Sequence, residues 1–325
     1  MKKIRIITTG GTIQSEQKHP GVVSRKDDLD DLFALLGTRE YEVETPIRMF
    51  SENTTPQRLI TLLKAVFRPD NAQTCSGILI THGSDTLAYT AQLVSLLGSS
   101  AEYPIILIAA KRPADDPHYD GKENFARAID LLDRQRKGVY VVSRHENGTC
   151  YLYQADCIQQ ADHVTDDFTA YQNRILGHWE GNDLHTAKNH PPLPQYPKLI
   201  EKFTTMTEPV IPHIWVLFPY PGLDYTTQKP ENYPGKYILH ALYHSGTANG
   251  EPHSPYGLPD FADRCHRAGK ELYLAPLTRD KAVYETVLTY VNIKRIPDVP
   301  MERAWAMLIL ASWIGCEPQD LYELG

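Results

Sequence analysis

The stretch Gly77-Ile78-Leu79-Ile80-Thr81 is an apolar run of strand length that leads directly into a polar turn. A strand without alternating polar residues is typical of a parallel sheet that helices cover on both faces. Segments with helical spacing separate this run from three others, and the order strand, helix, strand predicts the α/β class. The other runs are residues 4–9, 103–108 and 138–142.

Two of the intervening segments have the features of helices. Thr55 and Pro56 suit a helix N-cap followed by proline at the first helical position. Apolar residues recur at helical spacing after Pro56, and a second apolar stripe lies between residues 121 and 133. The apolar positions are Leu59, Leu62, Leu63 and Val66 in the first segment and Phe125, Ile129 and Leu132 in the second.

The composition changes after residue 185. Residues 186–210 hold several prolines among polar residues, and such stretches form extended linkers. We therefore predict a larger N-terminal parallel-sheet domain at 1–185, a Pro-rich linker at 186–210 and a smaller C-terminal α/β domain at 211–325. In the C-terminal part we predict strands at 213–218, 237–242 and 271–275 and an apolar helix at 304–313.

Composition excludes several classes of protein. The chain has 325 residues and a net charge of −7, with 33 Lys and Arg against 40 Asp and Glu, so no basic excess is available for a nucleic acid. Its five scattered cysteines include no C-x-x-C pair, which indicates neither a zinc site nor a redox motif and suits a reducing compartment. The apolar run at 4–7 is too short for a signal peptide, and no stretch approaches the ~18–20 apolar residues of a membrane span. We expect a cytoplasmic protein without nucleic-acid or membrane partners.

The first candidate site is Thr8-Thr9-Gly10-Gly11-Thr12-Ile13, which follows the first predicted strand. Ligands of open parallel sheets bind beyond the carboxyl ends of the strands. Paired glycines allow a sharp turn and expose amide N–H groups, so Thr12 would be a nucleophile with oxyanion-stabilising donors nearby. The alternative is a simple turn. The pattern is not G-x-G-x-x-G, so a dinucleotide site is poorly supported.

The second candidate site is Thr81-His82-Gly83-Ser84-Asp85-Thr86, which follows the 77–81 strand. In one interpretation Ser84 and Asp85 cap the helix that begins there. In the other, a hydroxyl and a carboxylate at this sheet edge bind an amino-acid ammonium and help to activate a nucleophile.

Together these two segments resemble the bacterial-type L-asparaginase family, whose members carry T-G-G-T-I after the first strand and H-G-T-D-T after the third. Residues 51–56, Ser-Glu-Asn-Thr-Thr-Pro, are similar to the family's substrate-binding S-x-D-M-T-P segment. Arg112-Pro113 followed by Asp120, Gly121 and Asn124 is similar to its R-P…D-G-x-x-N segment. The resemblance covers residues 1–145 and is weak across 150–325.

The resemblance implies an asparaginase-like fold in which Thr12 attacks a substrate amide and forms an acyl-enzyme that water hydrolyses. Ser84 takes the place of the family's second catalytic threonine, and Asp85 assists while holding the substrate ammonium. Ser51 would hold the substrate carboxylate. The resemblance completes the substrate-binding set with Glu52, Gly83 and Glu285.

The same resemblance implies that neither a metal nor a cofactor takes part. It also implies a homodimer or homotetramer, because the C-terminal domain of family members contributes to the neighbouring subunit's site. Thr247 or Asn249 falls near a family asparagine that crosses this interface.

Two departures from the family pattern stand out. Asp162 falls where members place a lysine beside the second hydroxyl, or it simply faces solvent. His163, next to it, is either a candidate base or a solvated loop histidine. Residues 14–30 also lack the tyrosine with which members activate the nucleophile. Lys18 or His19 could substitute, or this segment is simply a charged, flexible lid.

Three hypotheses remain open at this point. The first is hydrolysis of L-asparagine, or of a closely related small amide, to L-aspartate and ammonia. The second keeps the fold and the hydrolysis but changes the amide. The third is a catalytically silent protein that binds an amino acid, since binding alone could retain Thr12, Ser84 and Asp85.

Overall fold

The computed structural model describes residues 2–19, 22–25, 29–187, 195–207, 213–277 and 290–321. Two compact units divide the chain, a first unit spanning Met1–Thr205 and a second spanning Met206–Leu324. The strands of the first unit are β1 Lys3–Thr8, β2 Ser15–His19, β3 Val22–Arg25, β4 Tyr41–Glu44, β5 Cys75–Thr81, β6 Pro104–Ile108, β7 Gly138–Arg144, β8 Cys150–Gln154, β9 Ile158–Ala161, β10 Phe168–Ala170, β11 Gly177–Glu180 and β12 Asp183–Thr186. Its helices are α1 Asp30–Phe33, α2 Pro56–Val66, α3 Asn71–Thr74, α4 Ser84–Leu97, α5 Gly121–Asp133 and α6 Leu199–Thr205.

The first unit is built on an eight-stranded sheet with the order β12-β11-β8-β7-β6-β5-β1-β4. Five neighbouring strands of this sheet pair in parallel, in the order β4, β1, β5, β6 and β7. The strands β8, β11 and β12 extend the sheet in antiparallel fashion beyond β7. After β1 the chain adds β4 on one side and then returns to add β5 on the other. This reversal opens a crevice between the carboxyl ends of β1 and β5, where ligands of doubly wound sheets bind.

The sequence predicted the parallel strands β1, β5, β6 and β7 and the helices α2, α4 and α5, and the α/β class is confirmed. The parallel edge strand β4 and the short helices α1, α3 and α6 were not predicted. Thr55 caps α2 by accepting a hydrogen bond from the Arg58 N–H, as the Thr-Pro pair predicts. The residues of β6 and nearly all of those of β5 are buried, because α4 and α5 cover the sheet. The antiparallel strands and the hairpins β2–β3 and β9–β10 were not predicted, since short strands with many polar residues give no clear apolar pattern.

The second unit has a four-stranded parallel sheet with the order β13-β14-β15-β16. The three predicted strands and the apolar C-terminal helix are present, and the short β16 is an addition. The helix α7 packs its apolar side, including Phe261 and Cys265, into the core of this unit. The elements are β13 Trp215–Leu217, β14 Tyr237–Ala241, β15 Glu271–Leu277, β16 Ile293–Pro297, α7 Leu258–Arg267 and α8 Met301–Ile314.

The segment predicted as a linker contains regular structure. The helix α6 lies within it, packs against α4 and buries Phe203 completely. Pro191, Pro192 and Pro194 lie outside the described residues. The predicted domain limits took no account of this helix.

Two further features concern helix length and the cysteines. Within the described ranges, no helix is both long enough and apolar enough to cross a membrane. All five cysteines are free and buried.

Candidate active site

The loops that follow β1 and β5 begin side by side at the crevice. The N–H and the hydroxyl of Thr9 both donate to the carbonyl oxygen of Thr81, at 3.2 and 3.0 Å. The N–H of His82 donates to the carbonyl oxygen of Ile108 at 2.9 Å. These bonds continue the ladder past the strand ends, so the loop after β1 is fixed against the loop after β5.

Three loops approach one another so closely that two positions require glycine. Gly11 has φ +82°, and a Cβ there would lie 2.5 Å from the Cα of Gly83. A Cβ on Gly83 would in turn collide with the hydroxyl of Ser51. The two motifs therefore meet at their glycines, and Ser51 joins them from a third segment.

Thr12 begins a single 3-10 turn that runs from Thr12 to Gln14, directly after two glycines with positive φ. Its side chain is half-buried, and its carbonyl oxygen accepts a bond from the Ser15 hydroxyl at 2.7 Å. This turn, residues 12–15, is called the nucleophile turn below.

The expectation that Gly10 and Gly11 expose free amide donors is wrong. The N–H of Gly10 donates to Oε1 of Gln14 at 2.8 Å, and the N–H of Gly11 donates to the carbonyl oxygen of Met49 at 3.1 Å. Both groups are used to build the turn. Sequence reasoning missed Gln14 and Met49, because a side chain that closes on its own loop leaves no pattern in the sequence.

The helix α4 offers other donors at the same place. Its N-cap is Gly83, and no side chain caps it, so the interpretation of Ser84 and Asp85 as capping residues is wrong. They are instead the first two residues of a 14-residue helix, whose first-turn N–H groups have no acceptor within the helix. The positive end of the helix dipole lies here, which favours negative charge.

Ser51 and Asp85 form the polar pair that the sequence analysis places at the substrate. Ser51 is only 2% exposed, and its hydroxyl donates to Oδ2 of Asp85 at 3.2 Å. The hydroxyl of Thr86 donates to the carbonyl oxygen of Ser51 at 3.0 Å and so ties α4 to this segment. Glu52 is exposed, and its Oε1 accepts a bond from the amide of its neighbour Asn53.

His82 is structural rather than catalytic. Its ring is completely buried, Nδ1 bonds the carbonyl oxygen of Gly83 at 2.9 Å, and Nε2 lies 3.1 Å from the hydroxyl of Thr90. Because Nδ1 faces a carbonyl oxygen it carries the proton, and Nε2 accepts from Thr90. Burial lowers the pKa of His82, so the neutral ring fixes the turn before α4.

The side chain of Asp162 is exposed and is bonded within its own turn. Its Oδ1 accepts bonds from the N–H groups of Val164 and Thr165 and from the Thr165 hydroxyl. These bonds, the backbone ones foremost, lower the pKa of this exposed carboxyl group. His163, beside it, is also exposed.

The turn that holds Asp162 receives a lysine from elsewhere in the chain. Lys111, just after β6, is 7% exposed, and its Nζ pairs with Oδ1 of Asp167 and lies 3.4 Å from the carbonyl oxygen of Thr165. Sequence reasoning missed this ammonium, although it stands directly before Arg112-Pro113.

The D-G-x-x-N segment anchors the loop that follows β6. Oδ1 of Asp120 accepts bonds from the N–H groups of Lys111 and Arg112, and the Asn124 amide donates to the carbonyl oxygen of Ala109. Burial raises the pKa of Asp120. A cavity of about 270 Å³ lies beside this loop. Its lining residues are Lys111, Arg112, His118, Asp120, Arg144, His145 and Glu146.

The remaining candidates are Glu285, Lys18, His19, Thr247 and Asn249. Glu285 and the side chains of Lys18 and His19 lie outside the described residues. In the second unit, the Thr247 hydroxyl lies 3.0 Å from that of Ser245, and Asn249 accepts a bond from the Glu251 N–H. Among the residues that the structure describes, no group of three or more His, Cys, Asp or Glu side chains is arranged to hold a metal.

The fold is that of an α/β protein in which the Thr12 turn, Gly83 and the Ser51–Asp85 pair meet at the reversal point of the larger sheet. The chain belongs to the asparaginase family, since the family model for the N-terminal asparaginase domain matches residues 3–192, more than half of it. This finding confirms the family resemblance that the two motifs indicated.

Individual relatives agree with this assignment. The L-asparaginase of Thermococcus kodakarensis is 30% identical over 144 residues, which are 43% of each chain. A component of the glutamyl-tRNA(Gln) amidotransferase of Methanococcus maripaludis is 32% identical over 167 residues, which are 49% of this chain and 40% of that protein. The matches thus cover less than half the length of these curated relatives.

Solved structures show the same fold over the whole chain. The thermostable L-asparaginase from Thermococcus kodakarensis superposes with a TM-score of 0.76 at 20% identity, covering 99% of this chain and 96% of that one. A structure described as a probable cytoplasmic L-asparaginase from Campylobacter jejuni also has a TM-score of 0.76 and 20% identity, and covers 100% of this chain and 99% of that one. The two-unit asparaginase-like fold is thereby confirmed.

Proposed function

We propose that the protein hydrolyses L-asparagine, or a closely related small amide, to the carboxylic acid and ammonia. The observation that carries the proposal is the meeting of the Thr12 turn, Gly83 and the Ser51–Asp85 pair at the crevice between β1 and β5. One small polar substrate could then contact the hydroxyl of Thr12, the carboxylate of Asp85 and the N–H groups at the start of α4.

The roles follow from the chemistry of these groups. The Thr12 hydroxyl attacks the amide carbon, and the first-turn N–H groups of α4 stabilise the oxyanion that forms. The hydroxyl proton of Thr12 passes to the leaving nitrogen, ammonia departs, and water then hydrolyses the ester. Asp85 holds the substrate ammonium, Ser51 holds its carboxylate, and Ser84 assists proton transfer beside the nucleophile.

A second candidate keeps the hydrolysis and changes the amide. Lys111 reaches the 162–167 turn from β6, an arrangement the resemblance did not lead us to expect, and the relatives include both an L-asparaginase and an amidotransferase component. Glutamine, or an amide carried on a larger molecule, is then an alternative substrate. A silent amino-acid-binding protein is the third candidate, because Ser51 and Asp85 can bind without catalysis.

Ammonia release from L-asparagine, L-glutamine and a panel of small amides separates these candidates. We expect Thr12→Ala to lower the rate by at least about 1000-fold, since loss of a nucleophile removes the covalent route. Thr61→Ala is the matched control, because Thr61 is an exposed threonine of α2 whose hydroxyl bonds the carbonyl oxygen of Gln57 within the same helix. Release of ammonia from a different amide, and not from L-asparagine, would support the second candidate. No release from any amide, with a thermal shift on adding aspartate, contradicts the enzyme proposal.

We further propose a cytoplasmic homodimer or homotetramer in which Glu285 and Thr247 or Asn249 serve a neighbouring site. The five free cysteines and the likeness to a protein described as cytoplasmic support the location. Analytical ultracentrifugation of the wild type and of Asn249→Ala tests the assembly. A monomeric wild type with full activity would rule out a shared site.

A further inference from the structure

The nucleophile turn is supported from outside by the loop between β6 and α5, residues 109–120. The Tyr119 hydroxyl donates to the carbonyl oxygen of Ile13 at 3.0 Å. The N–H of Ala114 donates to the carbonyl oxygen of Ser15 at 2.8 Å. The side chain of Asp115 accepts the N–H of Gln17 at 2.9 Å. Three successive contacts thus fix the chain directly after Thr12 to one loop.

The residues next to Tyr119 in the chain and the apolar core hold its ring in place. Asp120 binds the N–H groups at the start of the loop, as described above. A Cβ on Gly121 would collide with the Tyr119 ring, so the glycine of the D-G pair makes room for the phenol. The ring also packs against the apolar core of the first unit.

The chemistry of this phenol suits a donor and not a base. Its only proton is directed to the Ile13 carbonyl oxygen, and burial raises its pKa, with the carboxylate of Asp120 adding to the effect. The hydroxyl therefore stays protonated at neutral pH and holds the peptide group of Ile13 in one orientation.

Both flanks of Thr12 are then fixed by side chains. On one side Gln14 accepts the N–H of Gly10, and on the other Tyr119 donates to the carbonyl oxygen of Ile13. We propose that Tyr119 is a positioning residue that sets the direction of the Thr12 hydroxyl toward the substrate. This inference rests on the proposed role of Thr12 as nucleophile.

Steady-state kinetics of Tyr119→Phe test the inference. We expect kcat for the best amide to fall roughly tenfold with KM changed less than twofold, because a misplaced nucleophile slows the reaction of bound substrate. Tyr140→Phe is the matched control, because the Tyr140 hydroxyl also donates to a backbone carbonyl oxygen, that of Lys137 at 2.7 Å. Lys137 directly precedes β7 and so lies at the amino ends of the parallel strands, whereas Thr12 lies at their carboxyl ends. Tyr140→Phe should leave kcat unchanged.

A double-mutant cycle separates positioning from general stability. Gly121→Ala should lower kcat in the wild type, where the new methyl group displaces the phenol, and should have no further effect in Tyr119→Ala, where the ring is absent. Amide hydrogen exchange of residues 10–17 gives a readout that does not need turnover, and Tyr119→Phe should speed it while Tyr140→Phe does not.

The outcomes distinguish the two proposals. A wild type that releases no ammonia overturns the proposed function and, with it, the role of Tyr119 in catalysis. An active wild type in which Tyr119→Phe and Tyr140→Phe have equal kcat overturns the inference alone. Additive effects of Gly121→Ala and Tyr119→Ala also overturn it.

Discussion

Each unit of the protein has a parallel strand with a buried histidine at or next to its last residue, and the two histidines are held in the same way. His82 follows β5 and bonds the carbonyl oxygen of Gly83 and the hydroxyl of Thr90. His240 in β14 bonds the carbonyl oxygen of Ala241 and lies 2.6 Å from the hydroxyl of Tyr225. In both rings Nδ1 donates to the next residue and Nε2 accepts from a hydroxyl.

The chain beyond the histidine differs between the two strands. After His82, one glycine leads straight into α4, so a helix start and two polar side chains reach the sheet edge. After His240 the chain continues through the buried Ala241 and Leu242, and the next helix begins only at Leu258. A buried ring thus lies near both strand ends, but only the first is followed at once by a helix start, which places free N–H groups and polar side chains at the sheet edge.

The largest expected effect concerns the glycine contact that distinguishes the first strand end. Gly11→Ala should lower ammonia release by more than about 100-fold, because the new Cβ would collide with the Gly83 backbone and displace the nucleophile turn. Gly269→Ala is the matched control in the second unit, since Gly269 also has positive φ but nothing within 4 Å of a Cβ. It should keep full activity and cost about 1–2 kcal/mol in unfolding free energy. Equal activities of the two variants would show that the close approach is dispensable.

The next effect is a pH dependence of stability in the second unit. Burial lowers the pKa of His240 to about 4 from the ordinary 6.5. The unfolded chain therefore binds a proton below about pH 6.5 that the folded chain takes up only near pH 4. The free energy of unfolding is therefore unaffected by this proton above about pH 6.5. It decreases by about 3 kcal/mol in all as the pH falls from 6.5 to 4.

Urea unfolding at pH 7 and pH 5, followed by tryptophan fluorescence, should show about 2 of these 3 kcal/mol, because pH 5 lies above the folded pKa. His240→Gln removes this titrating ring and should reduce the pH dependence in this interval, leaving the part that comes from the buried His82, whose pKa is also lowered. A variant as sensitive to pH as the wild type would assign the effect to other groups.

The smallest effect separates the two rings by function. Thr90→Val and Tyr225→Phe each leave a buried Nε2 without its donor and should cost about 1–2 kcal/mol in unfolding free energy. Only Thr90→Val should also lower ammonia release, by a few fold, because only His82 is followed by the site. Equal losses of activity in both variants would mean that stability, and not the position of Gly83, controls the rate.

Much of the fold and part of the site could be predicted from the sequence. Apolar runs such as 77–81 mark buried parallel strands because burial on both faces demands apolar residues throughout. The two glycine motifs marked the strand ends that meet at the crevice. The antiparallel strands at 150–186 and the helix at 199–205 gave no such signal, because short, polar segments become regular only when they pair with or pack on something already folded.

By itself, the sequence indicated the α/β class and the family, and it singled out Thr12, Ser51, Ser84 and Asp85 as candidate site residues. Tertiary structure alone decided that Gln14 and Met49 consume the glycine N–H groups, that Lys111 pairs with Asp167 across 56 residues, and that Tyr119 bonds the nucleophile turn across 106. The physical reason lies in the range of the forces. Burial of a strand or helix requires apolar residues at regular spacing, and a sharp turn requires glycine, so both leave a pattern within a short stretch of sequence. A contact between distant loops leaves no such pattern, because it depends on the order of the strands in the sheet.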